Sequence, residues 1–120
     1  MKWMKIASIR AAARRSELSA LKNCLRHHKQ GRDATIDELR DVATVDYDIY
    51  GKYCAMCIRQ DGLCHGCILF DEECCGGLWH TIRNAFYWFK KHPTTEHHHD
   101  YITAENKLCE YLETKIKGAI

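Results

Sequence analysis

The stretch Tyr53-Cys-Ala-Met-Cys-Ile-Arg-Gln-Asp-Gly-Leu-Cys-His-Gly-Cys67, followed by Cys74-Cys75, decides the fold. It holds two C-x2-C pairs separated by six residues. In each pair a tight turn directs both sulfurs at one ion, and four thiolates form the tetrahedral set that zinc prefers. The pattern therefore predicts one zinc ion bound by Cys54, Cys57, Cys64 and Cys67, with Cys74 or Cys75 as substitute ligands.

Several alternatives for this site stay open from the sequence. An iron–sulfur cluster also accepts four cysteines, and His65 and His80 are further candidate ligands. We expect the adjacent Cys74 and Cys75 to bind one ion together only with difficulty. Four thiolates close the coordination shell, whereas catalytic zinc keeps an open position. The sequence therefore favours a structural ion.

The distribution of cysteines supports metal rather than disulfides. Six of the eight cysteines lie between positions 54 and 75, whereas a disulfide scaffold usually spreads them along the chain. The N-terminus has no apolar run typical of a secretory signal, and no stretch reaches the roughly 18 apolar residues that a membrane span needs. We expect a cytoplasmic protein without membrane contact.

Helices are predicted on both sides of the cysteines. The first runs from Trp3 to Gln30, with a break at Ser16 or Ser19 as an alternative, and Gly31 is expected to cap it. Three more are expected, at 35–43 after a capping box, at 78–92 before Pro93, and from about 95 to 118. Between the cysteines the chain is too short for regular elements. The expected fold is all-α: a single domain over 1–120 in which three to four helices surround a short cysteine-rich zinc knuckle.

Some residues break the pattern of these helices or carry an ambiguous signal. Arg14 and Glu105 each interrupt an apolar stripe, so we predict that they meet. Cys24 and Cys109 lie within helices, where core packing is the better interpretation. For His27-His28, the favourable position of a cation at a helix C-terminus suffices as an explanation.

Other residues suggest partners. Residues 1–32 hold nine Lys or Arg and one acid, and residues 33–48 hold six acids and one base. This asymmetry fits self-pairing of a solvated face, or a nucleic-acid interface on the predicted basic face. That face consists of Arg15, Lys22, Arg26 and Lys29. Tyr87 and Trp88 lie off the apolar stripe and are expected either to be buried or to contact a protein partner.

A metal-dependent nuclease using His97, His98 and His99 is the third functional hypothesis. These three adjacent histidines lack the i,i+4 spacing of a helical metal pair. A polar helix start with exposed histidines is therefore the better interpretation.

The segments Tyr53-Cys-Ala-Met-Cys57, Cys64-His-Gly-Cys67 and Cys74-Cys-Gly-Gly-Leu-Trp79, between a leading and a closing helix, resemble small proteins of tailed bacteriophages and prophages. In those proteins, paired C-x2-C motifs precede a further cysteine and an aromatic segment. The resemblance implies a phage-encoded accessory protein that acts in the host cytoplasm on a host protein, including defence systems. The leading functional expectation is thus a non-enzymatic, zinc-stabilised binding protein that inhibits or modulates a host factor.

Overall fold

The structure, a computed structural model, describes residues 2–61, 63 and 66–120, and it is all-α as predicted. The described residues form six α-helices rather than the expected three or four. They are α1 (Ile6–Arg15), α2 (Glu17–Asp33), α3 (Ile36–Asp41), α4 (Ala55–Arg59), α5 (Leu78–Lys91) and α6 (Thr95–Ala119).

The first predicted helix is divided at Ser16, which is one of the two breaks expected. Ser16 has extended backbone angles, and its hydroxyl accepts a hydrogen bond from the Ser19 backbone N–H at 3.0 Å. A serine in this position ends one helix and caps the next, because its side chain satisfies a backbone donor that the helix leaves free. The predicted capping box is also present, with Thr35 and Glu38 bonding to each other's backbone at the start of α3.

The cysteine segment, residues 51–77, is more regular than its spacing predicted. It contains α4, a 3-10 turn at Gly51–Tyr53, a second one at Cys75–Gly77, and a two-residue antiparallel ladder between β1 (Phe70–Asp71) and β2 (Glu73–Cys74). The expectation of no regular elements here was wrong. The helical turn of α4 starts directly after Cys54 because the Cys54 side chain caps it.

The helical frame, α2, α5 and α6, packs the main core. Its buried side chains include Leu21, Ile82, Phe89, Leu108 and Leu112. The predicted stripe of α6 is confirmed, since Tyr101, Leu108, Cys109, Leu112 and Ile116 are all buried. Lys90 on α5 donates to the carbonyls of Leu39, Arg40 and Val42 at 2.9–3.0 Å, which satisfies the end of α3 and ties it to the frame.

Glu105 does not meet Arg14, and that prediction was wrong. Arg14 is exposed, whereas Glu105 is fully buried and bonds to His28, Tyr47 and Tyr101. The Nδ1 atom of His28 lies 2.8 Å from one carboxylate oxygen, and both tyrosine hydroxyls donate to the other. A buried carboxylate is tolerated when it is hydrogen-bonded and paired in this way.

Gly31 is inside α2 and does not cap it, so the predicted cap was also wrong. A Cβ at this position would collide with the hydroxyls of Tyr47 and Tyr101. The glycine is required because α2 passes directly against the two tyrosines that donate hydrogen bonds to Glu105. No helix of the described residues combines the length and apolarity needed to cross a membrane.

Candidate metal centre

One cavity, of about 320 Å³, opens between the cysteine segment and the frame. Its wall carries six cysteines, which are Cys24, Cys54, Cys57, Cys67, Cys74 and Cys75. His27 and His28 of α2 also line it, and the remaining wall is largely apolar, from side chains such as Met56, Leu69 and Trp79. Sulfur and imidazole donors from four separate parts of the chain therefore face one space.

The structure brings most of the predicted ligands to this wall. Cys54, Cys57 and Cys67 line the cavity, as do the two substitute ligands, Cys74 and Cys75. Cys64 and His65 lie outside the described residues. His80 is not part of the wall, and its ring lies against Trp79 with the centroids 5.3 Å apart.

In the first C-x2-C pair, a backbone N–H of the turn points at the leading sulfur. Cys54 caps α4, and its sulfur accepts a hydrogen bond from the Cys57 backbone N–H at 3.3 Å. An N–H directed at the sulfur stabilises a thiolate, which is the form that binds metal. Arg59 donates to the Ala13 carbonyl at 2.9 Å and anchors this turn to α1.

Two sulfur pairs have the spacing of ligands that share one ion. The Sγ atoms of Cys24 and Cys54 are 3.6 Å apart, and those of Cys74 and Cys75 are 3.8 Å apart. Two sulfurs bound to one tetrahedral zinc at about 2.3 Å lie roughly 3.8 Å from each other. The adjacent cysteines therefore place their sulfurs in contact, and the expectation that they share one ion only with difficulty stays a prediction.

The backbone turns sharply at the adjacent pair, and this turn brings their sulfurs together. Cys75 has a φ of 54°, and Gly76 and Gly77 follow with φ of 62° and 87°. A left-handed conformation is unfavourable for a residue other than glycine, and such strain persists where surrounding structure enforces it. Here the Cys75 backbone N–H donates to the Leu69 carbonyl at 2.9 Å, and Tyr111 of α6 donates to the same carbonyl at 3.0 Å.

The thiols of the cavity influence one another's ionisation. The hydrogen bond from Cys75 lowers the pKa of Cys74 to about 7, with nearby His28 adding to the effect, and the same bond raises the pKa of Cys75. The contact with Cys24 raises the pKa of Cys54. The hydrogen bond with Cys54 and burial raise the pKa of Cys57. Such mutual coupling is the behaviour of sulfurs crowded into one site.

The histidines at the cavity differ in their roles. Burial, reinforced by the neighbouring His28, lowers the pKa of His27 to about 3, so this ring is neutral. Its Nε2 lies 2.9 Å from the Asp48 carbonyl, to which it donates. His28 is engaged by Glu105 through Nδ1.

Cys24 and His28 are site residues that the sequence analysis did not assign. Cys24 is buried as expected, but it packs against the Cys54 sulfur rather than only among apolar side chains. From the sequence, His28 was explained by the favourable position of a cation at a helix C-terminus. A usable signal was present, because Cys24-x3-His28 is an i,i+4 pair, the spacing that places two ligands on one helix face. Cys109, by contrast, is buried and absent from the cavity wall.

As they stand, the described residues contain no group of three or more His, Cys, Asp or Glu side chains that could hold a metal ion. Of the second C-x2-C pair, this finding covers only Cys67, since Cys64 is outside the described part of the chain.

The predicted contact residues are at two other surfaces. A groove between α1 and α2 is lined by Arg15, Lys22 and Arg26. Lys29 is not part of it, and its Nζ atom lies 3.5 Å from a carboxylate oxygen of Glu113. Tyr87 and Trp88 on α5 are 48% and 49% exposed, so the burial alternative for them was wrong.

The three adjacent histidines have separate surroundings. His97 lies near His92, with ring centroids 6.1 Å apart, and His98 packs on Phe89, with centroids 5.4 Å apart. His99 is exposed. The three side chains therefore do not converge on one point.

Comparison with protein-family models, with curated proteins and with solved structures finds no match to this chain.

Proposed function

We propose that the chain is a zinc-stabilised binding protein without catalytic activity of its own, in which the ion holds the cysteine segment against the helical frame. The observation that carries this proposal is the convergence of six cysteines on one cavity. Thiolates are soft ligands suited to zinc, and an all-sulfur shell leaves no open position for chemistry. Cys54, Cys57, Cys64 and Cys67 remain the proposed ligands.

Native mass spectrometry with metal analysis, combined with circular dichroism, tests this proposal. We expect bound zinc in the purified chain and a fall in helical signal after a strong chelator removes it, because structural zinc contributes on the order of 10 kcal/mol to folding. Cys57→Ser should reduce zinc content, whereas the control Cys109→Ser, outside the cavity, should not. Bound iron, or zinc lost without any structural change, contradicts the proposal.

The proposed contact surface for a partner protein is the exposed part of α5. Tyr87 and Trp88 are half exposed, and Lys91 lies over the Tyr87 ring at 5.3 Å from its centroid. Exposed aromatic side chains next to a cation are typical anchors of protein interfaces. The resemblance to phage proteins supports a host protein as the partner, and inhibition or modulation of it as the outcome. A Tyr87→Ala/Trp88→Ala variant should lose that partner, whereas the exposed control Ile120→Ala should keep it.

Nucleic-acid binding is the second candidate function, and the groove between α1 and α2 favours it. Arg15, Lys22 and Arg26 line this groove, and no ion pair involves them within the described residues. If the groove binds phosphates, affinity for DNA or RNA falls steeply with salt concentration. Binding that is absent or insensitive to salt excludes this function.

A further inference from the structure

The groove between α1 and α2 has the size of a ligand site. Its volume is about 360 Å³, and small-molecule sites begin at roughly 300 Å³. On the α1 side the wall includes the small side chains of Ser8, Ala11 and Ala12. These side chains fill little of the space between the two helices, so the groove stays open.

The charged side chains that line the groove are all cations. Arg15 comes from α1, and Lys22 and Arg26 come from α2, where they are one helical turn apart. All three are exposed, and no acidic residue lines the groove. Guanidinium forks and ammonium groups match the oxygens of phosphate in charge and geometry. The groove therefore offers a site for a phosphate group.

A buried amide lies in the wall beside these cations. Asn23 is only 2% exposed, and its Oδ1 atom has no hydrogen-bond partner within the described part of the chain. Buried polar atoms are nearly always hydrogen-bonded, so an atom left unpaired at a site points to a missing partner. A ligand in the groove that carries an N–H donor supplies that partner.

The amide and the cations can contact one ligand. Asn23 is three residues before Arg26 and directly follows Lys22 on α2, and residues three apart are neighbours on a helix surface. The ligand therefore combines a phosphate with a group that can donate a hydrogen bond.

We propose that the groove binds an adenine nucleotide, with its phosphate on Arg15, Lys22 and Arg26 and the edge of its base on Asn23. This inference rests on the second candidate function, nucleic-acid binding, and names the unit that the groove recognises. Adenine carries an amino donor beside a ring-nitrogen acceptor, and an asparagine amide pairs with both through its oxygen and its NH2 group.

The burial of Asn23 also determines the form of the ligand. A base must enter the groove to reach this amide, and bases that are stacked within a duplex cannot do so. Unstacked bases of single strands are free to present their edges to a protein. The adenine therefore belongs to a single strand or to a free nucleotide.

Two nucleotides that differ in one group test this inference. In inosine monophosphate (IMP) an oxo group replaces the amino group of adenosine monophosphate (AMP), so this edge offers no donor to Oδ1 of Asn23. Nuclear magnetic resonance titration of the full chain should show AMP binding roughly 5- to 150-fold more tightly than IMP, the discrimination that one bidentate pair provides. The side-chain NH2 signal of Asn23 should shift with AMP, and inorganic phosphate should bind more weakly than AMP.

Substitutions separate the amide from the cations. Asn23→Leu keeps a similar volume without the amide, so AMP should bind only as well as IMP. Arg26→Gln should weaken both nucleotides by the same factor, because it removes a phosphate contact. The matched control Arg14→Gln, on an exposed arginine that does not line the groove, should change neither affinity.

Single strands of about ten adenylates or ten inosinates distinguish the two sources of the nucleotide. An adenylate strand that binds more tightly than AMP identifies a polymer ligand, and equal affinity identifies a free nucleotide. Both results support the inference if the adenine form is preferred over the inosine form.

The outcomes separate this inference from the function on which it rests. Equal binding of the adenine and inosine forms by the wild type overturns the inference, even if Asn23→Leu does not fold. If that equal binding still weakens steeply with salt, nucleic-acid binding stands. Absence of binding to both nucleotides and to both strands overturns the inference and the second candidate function together.

Discussion

The helical frame and the cysteine segment reach their structures by different physical means. The frame consists of three helices of 14 to 25 residues whose apolar stripes close on one another, and Leu21, Phe89 and Tyr101 are fully buried there. The cysteine segment consists of single turns and a two-residue ladder, and it exposes Leu63 and Ile68 by 71% and 40%. The frame therefore supplies most of the core, and the segment adds the buried side chains of Tyr53, Ala55, Met56 and Leu69 to that same core.

The buried polar groups of the helical frame and of the cysteine segment also differ in their hydrogen-bond partners. In the frame, Glu105 is surrounded by hydrogen-bond donors, so its burial is compensated. In the segment, neighbouring thiols hydrogen-bond mainly to one another, and this raises the pKa values of Cys54, Cys57 and Cys75. The proposed zinc ion would reverse that situation, since it would bind the deprotonated sulfurs and satisfy them together. If zinc binds as we propose, one part of this small domain folds by apolar burial alone, and the other by apolar burial together with ligation.

The largest expected effect of a substitution is in the frame. Phe89→Ala removes a fully buried ring on α5 and should lower the free energy of unfolding by about 3–5 kcal/mol. The adjacent Trp88→Ala, on a half-exposed side chain, is the matched control and should change it by at most about 0.5 kcal/mol. Chemical denaturation of the zinc-loaded proteins measures both. Equal effects at the two positions would show that the frame lacks the core described here.

A smaller loss of stability is expected where α2 passes the two tyrosines that donate hydrogen bonds to Glu105. Gly31→Ala introduces a Cβ into the space of the Tyr47 and Tyr101 hydroxyls and should cost about 1–3 kcal/mol. The control is Gly118→Ala near the end of α6, where nothing lies within 4 Å of the added atom. It should be neutral or stabilising by less than about 1 kcal/mol, because alanine favours helix. A Gly31→Ala variant as stable as wild type contradicts the tight packing of α2.

The sequence predicted the frame well because its signals are local. The apolar period of α6, the capping box at Thr35 and the serine break at residue 16 each depend on residues a few positions apart, and all three are present. Gly31 and Glu105 were misinterpreted because their roles depend on residues distant in the chain. Gly31 faces Tyr47 and Tyr101, and Glu105 faces His28, which is 77 positions away.

The candidate metal centre could be predicted only in part. The C-x2-C spacing identified Cys54 and Cys57 from sequence neighbours. Cys24 reaches the same cavity from α2, 30 positions before Cys54, and only the packing of that helix on α4 brings it there. The joint position of the Cys74 and Cys75 sulfurs depends on a left-handed backbone at Cys75, which no sequence pattern of cysteines specifies.

Hydrogen exchange of the zinc-loaded chain before and after chelation tests the central claim most directly, namely that metal holds the cysteine segment to the frame. After metal removal, we expect the largest rise in amide exchange within residues 51–77 and a smaller rise in the middle of α6, because the frame keeps its apolar core. A rise of equal size in both regions, or no rise in residues 51–77, would contradict the claim.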